Sequence, residues 1–162
     1  MDNKLSSIHY IGLHEICKNN TNSIKKIKSI YLQLLNELTH SPDILDEIFN
    51  ENLEKISNSG VIIIAVTNLN VESDDFNIIG SGTLYTEPKI IRDGKSVGHI
   101  EDIVVKNNYR GNKIAQNILN KLKDFALNSN CYKVILDCDE SVCPVYKSNG
   151  FEIKGIQMAK YF

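Results

Sequence analysis

The sequence predicts one α/β domain, a sheet carrying helices, and three observations carry that prediction. Apolar residues recur at three- and four-residue steps between Ile24 and Leu38, the period of a helix face. From Ser59-Gly60 onward β-branched runs take over, with polar turns between them. Around residues 97–126 a strand, a Gly-containing turn and a helical pattern follow in order. With 162 residues and 42% hydrophobic content the chain fills one core, and neither a repeat nor a low-complexity tract divides it, so a single domain over 1–162 is expected.

In chain order, Ser7 to Leu13 reads as a half-buried edge strand through Ile8, Tyr10 and Ile11. The polar stretch from Lys18 to Ser23 reads as a loop. From Asn22 the stripe Ile24, Ile27, Ile30, Tyr31, Leu34, Leu35 and Leu38 is the clearest helix of the chain. Ser41-Pro42-Asp43 predicts the start of a second helix after a very short link, since Ser caps a free N–H and Pro fits the first turn; Ile44, Leu45, Ile48, Phe49 and Ile56 supply its face. Val61 to Thr67 and Asn77 to Tyr85 predict an antiparallel hairpin around the loop at Asn68 to Asp75, and Glu87 to Gly94 is a charged loop. Val97 to Val105 predicts the next strand. Ile114, Ile118, Leu119, Leu122, Phe125 and Ala126 lie at helical spacing, Lys133 to Cys138 is a strand, Ser141 to Ser148 a short helix closed by Asn149-Gly150, and Phe151 to Phe162 a last strand.

Composition excludes several classes. Lys and Arg number 18 against 20 Asp and Glu, a net charge of -2, so no basic field covers the domain and no nucleic-acid partner is expected. The start Met1 to Leu5 lacks an apolar leader core and the longest wholly apolar run is Val61 to Val66, which points to a soluble cytoplasmic protein without a membrane partner. The four Cys, at 17, 131, 138 and 143, form no CxxC pair and no zinc spacing, and read as packing or bystander thiols. His99 reads as a hydrogen-bonded structural residue.

Arg110-Gly111 before a helix is a physical device for holding phosphate, because the first helical N–H groups lack partners and the dipole adds partial positive charge. The turn matches neither GxxxxGK[ST] nor GxGxxG, which removes the main support for nucleotide hydrolysis and hydride transfer.

The stretch from Gly80 to Phe162 resembles the GNAT superfamily of acetyl-CoA-dependent N-acetyltransferases, and within it the glucosamine 6-phosphate N-acetyltransferase family. The residues that carry this are Gly80-Ser81-Gly82-Thr83-Leu84, Lys89-Ile90-Ile91-Arg92, Gly98-His99-Ile100-Glu101-Asp102-Ile103-Val104-Val105, Arg110-Gly111, Cys131-Tyr132-Lys133, Ile135-Leu136-Asp137-Cys138, and Tyr146 with Gly150-Phe151. The resemblance implies a GNAT fold, a mixed and mostly antiparallel sheet splayed to admit pantetheine, with helices on both faces and a homodimeric assembly. It implies direct acetyl transfer from acetyl-CoA to the 2-amino group of glucosamine 6-phosphate, a step toward UDP-N-acetylglucosamine, with no metal. The alternatives are a GNAT enzyme for another amine, such as a peptide N-terminus, a polyamine or an aminoglycoside, and a non-catalytic acyl-CoA-binding module.

Residue by residue, the resemblance implies that the backbone of Ile103, Val104 and Val105 lines the pantetheine arm. Arg110, Gly111, Asn112, Lys113, Ile114 and Ala115 hold the pyrophosphate, with Asp137 also on the coenzyme side. Thr39, Lys89, Arg92, Glu101, Asp102, Tyr132 and Lys133 bind the sugar phosphate, and Glu101 and Asp102 take part in catalysis. Tyr146 is the general acid toward the departing thiolate. Adjacent strand residues face opposite ways, so Glu101 and Asp102 act together only if a bulge intervenes. The sequence departs from the family pattern at Lys113, where Gly is common, at Val142 and Val145, where Asn and Phe are expected, and at Tyr161, where Arg is common.

Overall fold

The computed structural model describes residues 8–162; Ser7 of the expected first strand and the start 1–5 lie outside them. Strand β1 (His9–Gly12) leads directly into helix α1 (Leu13–Asn19), followed by α2 (Ile24–Leu35), α3 (Asp46–Ser59), β2 (Gly60–Val66), β3 (Ile78–Pro88), β4 (Ser96–Val105), α4 (Ile114–Asn128), β5 (Cys131–Leu136) and α5 (Cys143–Ser148). The strands form one sheet in the order β1-β2-β3-β4-β5. The first three pairings are antiparallel and β4 with β5 is parallel, as a mixed, mostly antiparallel sheet requires.

The alternation in β2 explains why helices cover both faces. Ile62, Ile64 and Val66 point toward α1, α2 and α3, while Val61, Ile63 and Ala65 point toward α4. On the first side Leu13, Ile27 and Leu34 are fully buried; on the second, Ile118, Leu119 and Leu122 are. Each such side chain stabilises the fold by roughly 1.5–3 kcal/mol. Helix α4 can lie this close to the sheet because β3 offers no side chain at Gly82. A Cβ there would stand 2.4 Å from Ile103 Cδ1 and 2.8 Å from Ile118 Cγ2.

Five expectations change. The stretch from Lys18 is not simply a loop, since α1 runs to Asn19 and a short 3-10 turn covers Thr21–Ser23. The second helix starts at Asp46 instead of Ser41, and the link between α2 and α3 spans 36–45. The reason is that the polar groups of the link are already taken. Asn36 donates to the Ser41 carbonyl at 2.9 Å and accepts from the Ser41 N–H at 2.9 Å. Buried Lys28 donates to the Ile44 carbonyl at 2.6 Å, to Asp46 at 2.6 Å, and pairs with Asp43 at 3.0 Å. The helix therefore begins only after extended Leu45, with Asp46 and Glu47 in the first turn where carboxylates favour the dipole. Leu38 lies past the end of α2 and is exposed. At the other end, the charged loop begins later than expected because β3 runs to Pro88, and 151–162 forms no strand and joins no ladder among the described residues, meeting the end of β5 only through the Gln157 side chain on Asp137.

Gly82→Val is expected to destabilise the fold by about 1–3 kcal/mol, because Ile103 and α4 must both give way. Urea unfolding followed by circular dichroism measures this, and an unchanged midpoint would show that α4 has slack over β3.

Candidate active site

β4 and β5 are paired from Ser96↔Cys131 to Ile100↔Leu136, and there the parallel ladder ends. β4 continues to Val105 bonded to β3 alone. Between Thr83↔Glu101 and Ser81↔Val104 the register slips, three steps on β4 answering two on β3. The extra residue is accommodated at Asp102, whose φ is 53°. This bulge supplies what regular strand geometry denies, since both Glu101 and Asp102 are exposed rather than split between a buried and an exposed face. No described strand flanks 101–105 on the β5 side, so the main chain of Ile103 and Val104 borders an opening in the sheet.

Glu101 titrates above the ordinary carboxylate range because of burial and the nearby charges of Asp102 and Asp137, with His99 pulling the other way. Among the described residues no salt bridge reaches Glu101 or Asp102. Two phenols share this neighbourhood. Burial and the two carboxylates push the Tyr85 phenol up. Burial also pushes Tyr31 up to about 12, against a 3.4 Å hydrogen bond with the Ser81 hydroxyl and with Asp102 adding to the rise. Tyr31, Ser81 and Tyr85 were not foreseen as site residues. The only sequence signal was a hydroxyl-bearing Tyr within the aliphatic stripe of α2.

At the start of β4 the geometry gathers cations. The Arg92 guanidinium and the Lys133 ammonium each stand 5.7 Å from the centroid of the Tyr132 ring. Arg92 is presented by a turn in which Arg92, Asp93 and Gly94 all have left-handed φ, at 60°, 56° and 72°. Lys89 is held by Glu87, which also bonds His99 at 2.9 Å, so His99 has the structural partner expected of it. Thr39 is not joined to this group by any backbone bond; its N–H donates to Leu35 in the turn after α2. Its neighbour Glu37 accepts the Asn107 N–H at 2.8 Å, tying that turn to the segment after β4.

Beyond β4, Arg110 donates through Nε to the Val105 carbonyl at 3.0 Å, which leaves that carbonyl engaged. Gly111 has φ 81° with open space around its Cβ position, so conformation rather than room selects glycine. Lys113, the residue before α4, is also left-handed at φ 60°, which gives a physical reason for Gly at this position in the family pattern. No side chain caps α4, so Ile114 and Ala115 offer unpartnered N–H groups to an anion. Asn112 folds back onto the Tyr109 carbonyl at 3.1 Å. On the far side of the opening Asp137 accepts from Gln157 at 2.8 Å. Tyr146 on α5 is half-buried, packs edge-on against Phe151 with centroids 6.0 Å apart, and has its phenol raised by burial and by Cys138.

A parted pair of parallel strands with an uncapped helix beyond the longer one is the architecture of an acyl-coenzyme A transferase, and the chain belongs to the acetyltransferase (GNAT) family, whose pattern residues 29–151 match. It is 41% identical over 131 residues to glucosamine 6-phosphate N-acetyltransferase 1 of Dictyostelium discoideum, covering 80% of this chain and 79% of that protein. The Arabidopsis thaliana glucosamine 6-phosphate N-acetyltransferase is 35% identical, covering 82% and 87%. A crystal structure of the Arabidopsis thaliana enzyme superposes with a TM-score of 0.77 over 97% of this chain and 99% of that one, at 31% identity. The fold class expected from the sequence is thus the observed one, and acetyl-CoA is the co-substrate of this family. No helix among the described residues is long and apolar enough to cross a membrane.

Because the Glu101 carboxyl titrates high in the folded chain, its contribution to stability is present below the ordinary Glu range and lost as pH rises through the raised value. Glu101→Gln is therefore expected to unfold at a higher temperature than the wild type at about pH 7.5, and the two are expected to converge at about pH 3.5. Thermal unfolding at the two pH values checks this; equal midpoints at the higher pH would remove the repulsion with Asp102 and Asp137.

Proposed function

We propose that this chain transfers the acetyl group of acetyl-CoA to the 2-amino group of D-glucosamine 6-phosphate, giving N-acetyl-D-glucosamine 6-phosphate and coenzyme A. The observation that carries the reading is the order of chemistry along β4. Cations stand at its start, carboxylates where β5 leaves it, and an uncapped helix N-terminus beyond its end. That order suits a phosphate, an amine bearing sugar hydroxyls, and a pyrophosphate. The names of the relatives point to the same substrate.

In this reading Arg92, Lys133 and Lys89 hold the sugar phosphate, Arg92 by two oxygens at once, and Tyr132 keeps Arg92 and Lys133 together. Thr39 closes on the sugar from the turn after α2. Asp102 and Glu101 orient hydroxyls and amine, and the raised Glu101 carboxylate accepts the proton that the amine loses on attack. Main-chain groups of Ile103 to Val105 line the thioester arm, and an N–H donor aimed at the developing oxyanion contributes roughly 3 kcal/mol. The turn from Arg110 to Ala115 holds the pyrophosphate, with Asp137 bordering the arm. Tyr146, protonated throughout the neutral range, donates its proton to the departing thiolate.

The working form in this reading is a homodimer. The segment 151–162 exposes Ile153, Ile156, Met158, Tyr161 and Phe162 and has no strand partner among the described residues, and a second copy would cover them. Light scattering is expected to give twice the chain mass, and removal of 156–162 to shift the protein toward monomer; a monomeric full chain would leave the site to one copy.

Release of coenzyme A is expected with glucosamine 6-phosphate and not with glucosamine, glucose 6-phosphate or an N-terminal peptide. Equal rates with unphosphorylated glucosamine would transfer the assignment to another amine, and binding of the coenzyme with no release would leave a binding module. Tyr146→Phe is expected to lower kcat by about 100-fold or more with the KM for acetyl-CoA nearly unchanged. Wild-type turnover across the pH range would remove the acid role from Tyr146.

A further inference from the structure

Two thiols that take no part in the transfer stand together beside Tyr146. Cys138 follows β5 and is exposed; Cys143 opens α5 and is half-buried. Their sulfurs are 3.7 Å apart. A disulfide bond is about 2.05 Å long, so the pair is ~1.7 Å from closure, a movement within reach of side-chain rotation and a small shift of the turn between them. That turn is a single 3-10 turn, Glu140–Val142, bonded from Val142 N–H to the Asp139 carbonyl at 3.0 Å. Cys17 is buried in α1 with its thiol pushed up to about 11, and Cys131 is half-buried at the start of β5; burial raises the Cys138 thiol as well, with Cys143 adding to the rise.

Helix α5 is poorly anchored. It has six residues, none of them buried, and Pro144 in its first turn supplies no N–H. Elements with so little packing move at low cost. Tyr146 sits three residues after Cys143, on the same face of that short helix, and Cys138 is near enough to influence its phenol.

We propose that Cys138 and Cys143 are a reversible oxidation site, closing to a disulfide on exposure to a low-molecular-weight disulfide, and that closure draws the first turn of α5 toward β5 and takes Tyr146 out of line. The effect on turnover rests on the acid role proposed for Tyr146; the oxidation itself does not. In the chemistry, one cysteine thiolate attacks a sulfur of glutathione disulfide and a glutathione thiolate leaves. The second cysteine thiolate then attacks the protein sulfur of the mixed disulfide and expels the second glutathione. Two protein thiols are oxidised and one small disulfide is reduced to two thiols.

The test treats the full chain with excess glutathione disulfide at about pH 9, because burial and the neighbouring Cys143 raise the Cys138 thiol and the thiolate is the attacking species, and then removes the oxidant. The expected result is loss of two of the four thiols, a mass lower by two hydrogens, and a cross-link mapped to Cys138 and Cys143. Coenzyme A release with glucosamine 6-phosphate should fall about tenfold or more, because a misplacement of this size is costly at a reacting centre, and dithiothreitol should restore it. The double variant Cys138→Ser, Cys143→Ser should keep its turnover through the same treatment. Four intact thiols, or a stable glutathione adduct without the internal bond, would overturn the inference. A closed disulfide with undiminished turnover would overturn the coupling to α5. Thiol count and mass need no activity, so a chain inactive on the sugar before oxidation counts against the proposed reaction and not against the thiol pair.

Discussion

β4 and β5 share a parallel ladder only as far as Ile100 and Leu136, and beyond that point the strands separate. A parallel edge pairing must be supported by a crossover, here α4, and the length of that crossover decides where β5 re-enters the sheet. Because α4 packs tightly over Gly82 and its buried Ile118, Leu119 and Leu122, β5 is committed to the first half of β4 and the second half is left with one neighbour. The bulge at Asp102 falls on this boundary. Opening, exposed carboxylates and helix N-terminus are thus consequences of one packing decision.

Much of the frame was legible in the amino-acid pattern because it depends on local period. The stripe of α2, the β-branched runs of β2 and β3, and the switch from β4 through Arg110-Gly111 into α4 are read from neighbours in sequence. What escaped depends on distant partners. The start of α3 is set by Lys28 reaching across from α2 and by Asn36 closing on Ser41 within the link, which overrides the Ser41-Pro42 signal. The last twelve residues have the composition of a strand, yet they join no ladder among the described residues, and composition does not fix whether a segment pairs with the edge it passes.

The candidate site divides in the same way. The Arg110–Ala115 turn follows from the physics of helix ends, whereas Arg92, Tyr132 and Lys133 were singled out by family resemblance, since nothing local links position 92 to position 132. Their meeting is produced by the parallel register that sets Ser96 beside Cys131 and Val97 beside Lys133. Tyr31 and Ser81 escaped for a similar reason. A Tyr on a core stripe looks like packing until the strand that receives its hydroxyl is known.

The free strand margin and the uncapped α4 terminus are both made of main chain, while the opposite end of the opening is made of side chains. Main-chain groups persist through most substitutions, so in the proposed reading lineages descending from such a scaffold can exchange the acceptor end by point mutation while the donor end stays usable. Drift in this architecture would therefore diversify what receives the group long before it alters what delivers it.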